Sequence, residues 1–421
     1  MFRFPKLDFS KLDPSKLEGL DPGRFGSGAD PTGRFTDAMA KLRREQAAAF
    51  ARWKQSYGQP GDPPAPAGGD SAIIDMEAPA APGGAWTAPR PDRTGTAEPE
   101  AGSKARPKAG LDLSAMMRGL REGHPAGSGG SPAPVPPGAR FEERVFTGAA
   151  GSRRYKVYVP SGHAGQALPL VVMLHGCTQN PDDFAAGTQM NALAEAQGFL
   201  VAYPEQSQAA NMQRCWNWYA AGDQARAGGE PELIAGIARA VLAEFSGDPT
   251  KVYAAGLSAG GAAAAILAAT YPDLFAAVGV HSGLACGAAR DMPTAFAAMK
   301  GKAGVTGRNS QAVPTIVFHG DGDRTVHPAN GDQVIAQAGA APGLAETVSR
   351  GTSPGGIAYT CTTRSDADGR PVQEYWVLHG VGHAWSGGSP AGSYTEPRGP
   401  DASGAMVRFF LSHTLQPRPR T

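Results

Sequence analysis

The stretch Lys251-Val-Tyr-Ala-Ala-Gly-Leu-Ser-Ala-Gly-Gly-Ala-Ala-Ala-Ala-Ile-Leu-Ala-Ala-Thr270 constrains this chain more than any other. A short apolar run reads as a strand, and a run of alanine, isoleucine and leucine reads as a helix. Between them, glycines at 256, 260 and 261 flank Ser258 at the apex of a sharp turn. A serine on such a strand–turn–helix junction presents its hydroxyl above the sheet edge, where it can act as a nucleophile. The bare pattern is weak, because glycine supplies 57 of 421 residues and Gly351-Thr-Ser353-Pro-Gly355 also fits G-x-S-x-G. Around Ser353 no β-branched strand leads in, and Pro354 with Gly355 and Gly356 forbids an immediate helix, so a loop serine is expected there. For Ser258 the bland alternative is a capping serine on a glycine-rich turn.

Composition narrows the class. A formal net charge of +1 gives no general nucleic-acid surface, and no run of eighteen apolar residues spans a membrane. The N-terminus, Met1-Phe-Arg-Phe-Pro-Lys-Leu-Asp-Phe-Ser10, has charges and proline where a secretory signal needs an apolar core. Four cysteines (Cys177, Cys215, Cys286, Cys361) are too few for a disulfide scaffold, and none has zinc spacing.

The chain changes character near residue 140. Residues 1–139 are rich in Pro, Gly, Ala and charge, with linker-like runs at Gln59–Gly69 and Gly127–Gly138. A largely disordered region is expected, since it has too little apolar surface to offset chain entropy. Thr36–Ser56 and Leu111–Arg121 are short helix candidates within it, either transient or docking segments for a partner or a granule surface. From residue 140 to 414 one domain is expected. Tyr155–Val159, Leu168–Leu174, Leu200–Tyr203, Val252–Ala255, Ala276–His281, Thr315–His319 and Gln373–Leu378 read as strands. Met190–Gln197, Glu232–Phe245, the run after Ser258 and Ser403–Leu411 read as helices. This alternation predicts an α/β fold with a mostly parallel sheet and helices on both faces.

A serine hydroxyl needs a histidine to take its proton and a carboxylate to orient that histidine. Two loops after later strands supply them in the order serine, acid, histidine: Asp321-Gly-Asp323 after Thr315–Gly320, and Val381-Gly-His383-Ala-Trp-Ser-Gly-Gly388 after Tyr375–Gly380. Asp323 is favoured over Asp321, which more plausibly shapes the turn, and His383 over His379, which ends a strand. His281, His319 and His327 read as structural or surface histidines. The oxyanion donors expected are the backbone amides of Ala259, directly after the nucleophile, and Cys177, in the loop His175–Gln179. A nucleophilic role for Cys177 finds no basic neighbour to lower its pKa. In Cys215-Trp-Asn-Trp-Tyr219, Trp216 and Trp218 share a face if extended, as core aromatics or as a wall lining an acyl or polymer chain.

Taken in order, Leu170–Gln179, Cys215–Trp218, Ala255–Gly261, Val280–Gly283, Asp321–Asp323, Gly382–Gly388 and Ser393–Ser403 resemble the polyhydroxybutyrate depolymerase family of esterases over roughly residues 141–412. The resemblance implies an α/β-hydrolase fold without metal or organic cofactor, with Ser258 as nucleophile, Asp323 as acid, His383 as base and the Cys177 and Ala259 amides as oxyanion hole. It implies an ester substrate, either hydroxyalkanoate chains or acylated sugars with feruloyl or acetyl groups. Many relatives are secreted, whereas this chain shows no signal peptide, which leaves a cytoplasmic location open. Rival readings are a carbohydrate esterase and a non-catalytic granule- or wall-binding protein. Cys177 and Cys215 both flank the site, but spacing alone does not establish a bridge between them.

Overall fold

The computed structural model describes residues 135–302, 307, 309–339 and 343–415. The helix candidates Thr36–Ser56 and Leu111–Arg121, and all of the expected low-complexity region up to residue 134, lie outside them.

Ten strands form one sheet. In chain order they are β1 (Arg140–Gly148), β2 (Gly151–Val159), β3 (Leu168–Leu174), β4 (Leu200–Pro204), β5 (Gly247–Leu257), β6 (Ala277–His281), β7 (Thr315–Gly320), β8 (Ala345–Thr352), β9 (Ala358–Ser365) and β10 (Pro371–Leu378). Their spatial order is β1-β2-β4-β3-β5-β6-β7-β10-β9-β8. The block from β4 to β10 is parallel throughout. Antiparallel strands close both edges, β1 and β2 on one side and β9 and β8 on the other.

The central strands are continuous apolar runs because both of their faces are covered. In β3, Leu170, Val172 and Leu174 pack into one core with α3 (Gly229–Glu244), α4 (Ala259–Thr270) and α6 (Ala329–Ala338). Val171 and Met173 face the other core, with α1 (Pro181–Thr188), α2 (Met190–Gln197) and α7 (Ala402–Leu411). Leu170, Val171, Val172, Met173 and Leu174 are all buried, and full burial of such a side chain stabilises the fold by about 1.5–3 kcal/mol. The helix α5 (Met292–Ala297) opens with a capping box, Asp291 accepting from Thr294 N–H and the Thr294 hydroxyl satisfying the Asp291 amide.

From residue 140 on, the expected strands and helices are present, with ends shifted by a few residues. The structure adds β1, the β8–β9 hairpin, α1, α5 and α6. It also corrects one detail of the second G-x-S-x-G. A strand, β8, does lead up to Ser353, but a hairpin turn follows instead of a helix. The Ser353 hydroxyl is buried and donates to Arg398 C=O. It is a structural serine that ties the hairpin to a later loop.

Candidate active site

Ser258 is the single residue between β5 and α4, with φ 58° and ψ −119°. A non-glycine residue in this region costs about 1–3 kcal/mol and persists only when its surroundings enforce it. The enforcement is visible. Ser258 N–H donates to His281 C=O at 2.9 Å, and Ser258 C=O accepts from Ala262 N–H at 2.9 Å. The flanking glycines are required by close approach. A Cβ at Gly260 would lie 1.9 Å from the Leu174 carbonyl oxygen, and one at Gly256 would lie 2.3 Å from the Gly260 carbonyl carbon.

Asp323 and His383 come from the loops that follow the C-terminal ends of β7 and β10. Asp323 has a fully buried side chain, and its Oδ2 lies 2.7 Å from His383 Nδ1. Its Oδ1 accepts from Thr325 N–H at 2.8 Å and Val326 N–H at 2.9 Å. Burial pushes the carboxyl up, but the attraction and hydrogen bond of His383, the charge of His319 and the Val326 amide outweigh it and hold Asp323 below the ordinary carboxylate range. An ionised Asp323 on Nδ1 leaves His383 Nε2 as the ring nitrogen that can take a proton from serine. Among the described residues no hydrogen bond joins Ser258 Oγ to His383, a contact that often tightens only with substrate bound.

Asp321 and His379, the alternatives in the same two loops, pair with each other. His379 Nδ1 lies 2.8 Å from Asp321 Oδ2, and Gly380 N–H donates to Asp321 Oδ1 at 2.6 Å. Both side chains are 42% exposed, so this pair sits in solvent. Of the other histidines, His319 is buried with Nε2 2.8 Å from Val326 C=O, and His327 is exposed, its Nδ1 accepting from Ala329 N–H at 3.2 Å.

The amides of Cys177 and Ala259 donate to no group among the described residues, while their neighbours are engaged. Thr178 N–H donates to Gln213 C=O at 2.6 Å, and Gly176 N–H to Gln179 Oε1 at 2.9 Å. Ala259 also opens α4, where the helix dipole favours negative charge. Cys177 is bonded to Cys215 in a disulfide, so its sulfur is unavailable as a nucleophile and its backbone is tied to the Cys215–Tyr219 loop. Cys286 and Cys361 are free thiols, each pushed up by burial, to about 11 and about 12.

Trp216 is wholly buried, its indole N–H donating to His175 C=O at 3.1 Å. It packs beneath the oxyanion loop and has no surface to offer a ligand. Trp218 is also buried, edge-on to Tyr219 at 5.8 Å. Beside them lies a polar network that sequence reasoning missed. Burial lowers His175 to about 4, keeping its ring neutral. Its Nε2 accepts from Gln206 N–H at 3.1 Å, and its Nδ1 meets Gly176 C=O at 2.8 Å. Gln206 donates to Cys215 C=O and to the buried Glu230, which also accepts from Asn217 N–H at 2.7 Å. Burial, then the charge of Asp223, raises Glu230 to about 7. These residues are scattered from position 175 to position 230, and no spacing motif marks them.

Among the described residues no group of three or more His, Cys, Asp or Glu is gathered as a metal site, and no helix is long and apolar enough to cross a membrane. A parallel sheet with a strained serine elbow, a buried His–Asp pair and two free amides at one edge defines an α/β-hydrolase. An acetyl xylan esterase from Aspergillus awamori shares this fold, with a TM-score of 0.53 at 21% identity over 65% of this chain and 99% of that one. Residues 153–353 match the family described as Esterase PHB depolymerase. Poly(3-hydroxyalkanoate) depolymerase C of Paucimonas lemoignei is 34% identical over 239 residues, 54% of this chain and 57% of that protein. Feruloyl esterase B of Thermothelomyces thermophilus is 30% identical over 251 residues, 54% of this chain and 82% of that protein. The chain belongs to the polyhydroxybutyrate depolymerase family of esterases, and it spans little more than half the length of the Paucimonas relative.

Proposed function

We propose that this protein is a serine carboxylic ester hydrolase acting through Ser258, His383 and Asp323. The observation that carries the reading is the buried 2.7 Å contact of Asp323 with His383, in two loops at the sheet edge where the Ser258 elbow stands. His383 Nε2 takes the Ser258 proton as the hydroxyl attacks the ester carbonyl. The tetrahedral oxyanion is received by the Cys177 and Ala259 amides, and His383 returns the proton to the leaving alcohol. Water, activated by the same histidine, then releases the acid. Ser258→Ala should lower p-nitrophenyl butyrate hydrolysis by about 10⁴-fold or more with the fold intact. Full retained activity overturns the assignment. Stoichiometric fluorophosphonate labelling of Ser258 separates this reading from a non-catalytic binding protein.

The substrate we favour is a hydroxyalkanoate ester, on the identity to the Paucimonas depolymerase. A carbohydrate ester is the second reading, supported by the fuller span shared with a feruloyl esterase and by similarity to probable acetylxylan esterases. A panel of 3-hydroxybutyrate oligomers against feruloylated and acetylated sugars decides between them. A preference for the oligomers of about tenfold or more in kcat/KM sustains the first reading, and the reverse preference the second.

A further inference from the structure

The proposed machinery leaves unused one buried histidine that contacts both the Ser258 elbow and the loop carrying His383. His281 closes β6 and is fully buried. Its carbonyl accepts the Ser258 amide at 2.9 Å, which fixes the strained elbow. Its ring Nε2 accepts from Ser386 N–H at 3.0 Å, three residues beyond the base His383. Its Nδ1 lies 3.2 Å from Ser282 Oγ. The ring stacks against Trp385 of the base loop, at 5.2 Å and 27°, and against Phe318 of β7, the strand that carries the acid loop, at 5.7 Å and 14°. Ser282 N–H then donates to Phe318 C=O at 2.9 Å. The elbow, the acid strand and the base loop therefore converge on one side chain and its carbonyl.

We propose that His281 is a positioning residue of the catalytic centre, joining the Ser258 turn through its carbonyl to the His383 loop through its ring nitrogen. The chemistry requires a ring that accepts at Nε2, so the proton resides on Nδ1, facing Ser282. A protonated imidazole has no acceptor and would release the Ser386 amide. Burial, then the charges of His319 and His383, hold His281 well below the ordinary histidine value against the opposing pull of Asp323. Those three are the titratable groups that act on it. A phenyl ring, the nearest apolar substitute though somewhat larger, presents flat faces to both stacking partners, yet leaves Ser386 N–H without an acceptor. The base loop would then lose the bond that fixes its height over the elbow. Small misplacements of this kind reduce rates by about a hundredfold without touching the substrate.

The proposal rests on the esterase reading above, and the test is arranged to separate the two. In the full chain, His281→Phe and His281→Gln are compared with the unaltered protein on p-nitrophenyl butyrate. The phenylalanine variant should lose about ten- to a hundredfold in kcat with KM within about twofold. The acidic limb of its kcat/KM profile should also shift, because the hold on His383 is loosened. The glutamine variant, which keeps an acceptor, should recover most of the rate. A folded His281→Phe with unaltered kcat and pH profile, or a His281→Gln no better than phenylalanine, overturns the proposal. Nitrogen NMR of the unaltered protein gives a second reading that needs no variant to fold. His281 Nε2 should remain unprotonated where an ordinary histidine takes up its proton, and titration near that ordinary value of about 6.5 overturns the proposal as well. Absence of ester hydrolysis by the unaltered protein would sink the functional reading alone, leaving the NMR result to test the link.

Discussion

Two His–Asp pairs sit in the same two loops, only a few residues apart, and have opposite surroundings. Asp323 and His383 meet at 2.7 Å with the carboxylate fully buried and two backbone amides on its second oxygen. Asp321 and His379 meet at 2.8 Å with both side chains 42% exposed. Both aspartates are held below the ordinary carboxylate range despite the upward push of burial. The distance alone does not distinguish a catalytic pair from a surface clip. What distinguishes them is dielectric and destination. Water screens the outer pair, and its histidine turns its free nitrogen to Thr360 Oγ1 at 3.0 Å, on the β9 strand. The inner pair is desolvated, and among the described residues the remaining nitrogen of its histidine has no hydrogen-bond partner.

The sharpest way to break this contrast is to remove each charge without changing shape. Asp323→Asn should lower kcat about 10³- to 10⁴-fold, because the wrong histidine tautomer is favoured. Asp321→Asn should stay within about threefold, and equal losses from the two would erase the distinction drawn here. Next in size is the anchor of the oxyanion loop. Cys177→Ala with Cys215→Ala opens a link across 38 residues and should remove about 4 kcal/mol of stability, read as a fall in the denaturation midpoint. A wild-type midpoint would show that Trp216 and Glu230 hold the loop unaided.

Glu230 extends the contrast to stability against pH. Its folded value of about 7 stands above the ordinary 4.5, so the folded state keeps a proton that the unfolded chain gives up between those values. Stability should therefore fall as pH rises from 4.5 to 7, by up to about 3 kcal/mol, and Glu230→Gln should flatten that slope in urea titrations run across the same range. For Asp323 the sign is reversed. Its contribution is present above the unfolded carboxylate value and is lost as pH falls through the depressed folded one. The smallest effect belongs to the outer pair. His379→Ala should change stability by less than about 1 kcal/mol, and a larger loss by thermal denaturation would mean the hairpin depends on it.

The central sheet was legible because strands covered on both faces carry apolar runs, as in β3, β4 and the second half of β5. The elbow was legible because its glycines answer to close backbone contacts. The edges were not. Nearly every residue of β8 is exposed, so its strand nature lies in backbone pairing with β9 and leaves little mark on composition. That is also why Ser353 read as lacking a strand before it. The helix α1 did carry a signal that went unused: Asn180 caps Asp183 N–H, Pro181 takes the first position, and acidic residues follow. Asp323 and His383, favoured over Asp321 and His379 for their reach past the strand ends, lie 2.7 Å apart with the carboxylate buried. The supports were beyond reach, since His175, Gln206, Asn217 and Glu230 meet only through tertiary contacts.

The glycine at 260 has a further consequence for how this protein can change. With less than 2 Å between a hypothetical methyl group and the Leu174 carbonyl, the nucleophile's helix and the strand before the oxyanion loop behave as one casting. No side chain of any chemistry fits there, so substitution has no gradual path through that position. Sequence change in this scaffold is pushed to positions where an added side chain meets open space, such as Gly162, Gly222 and Gly307.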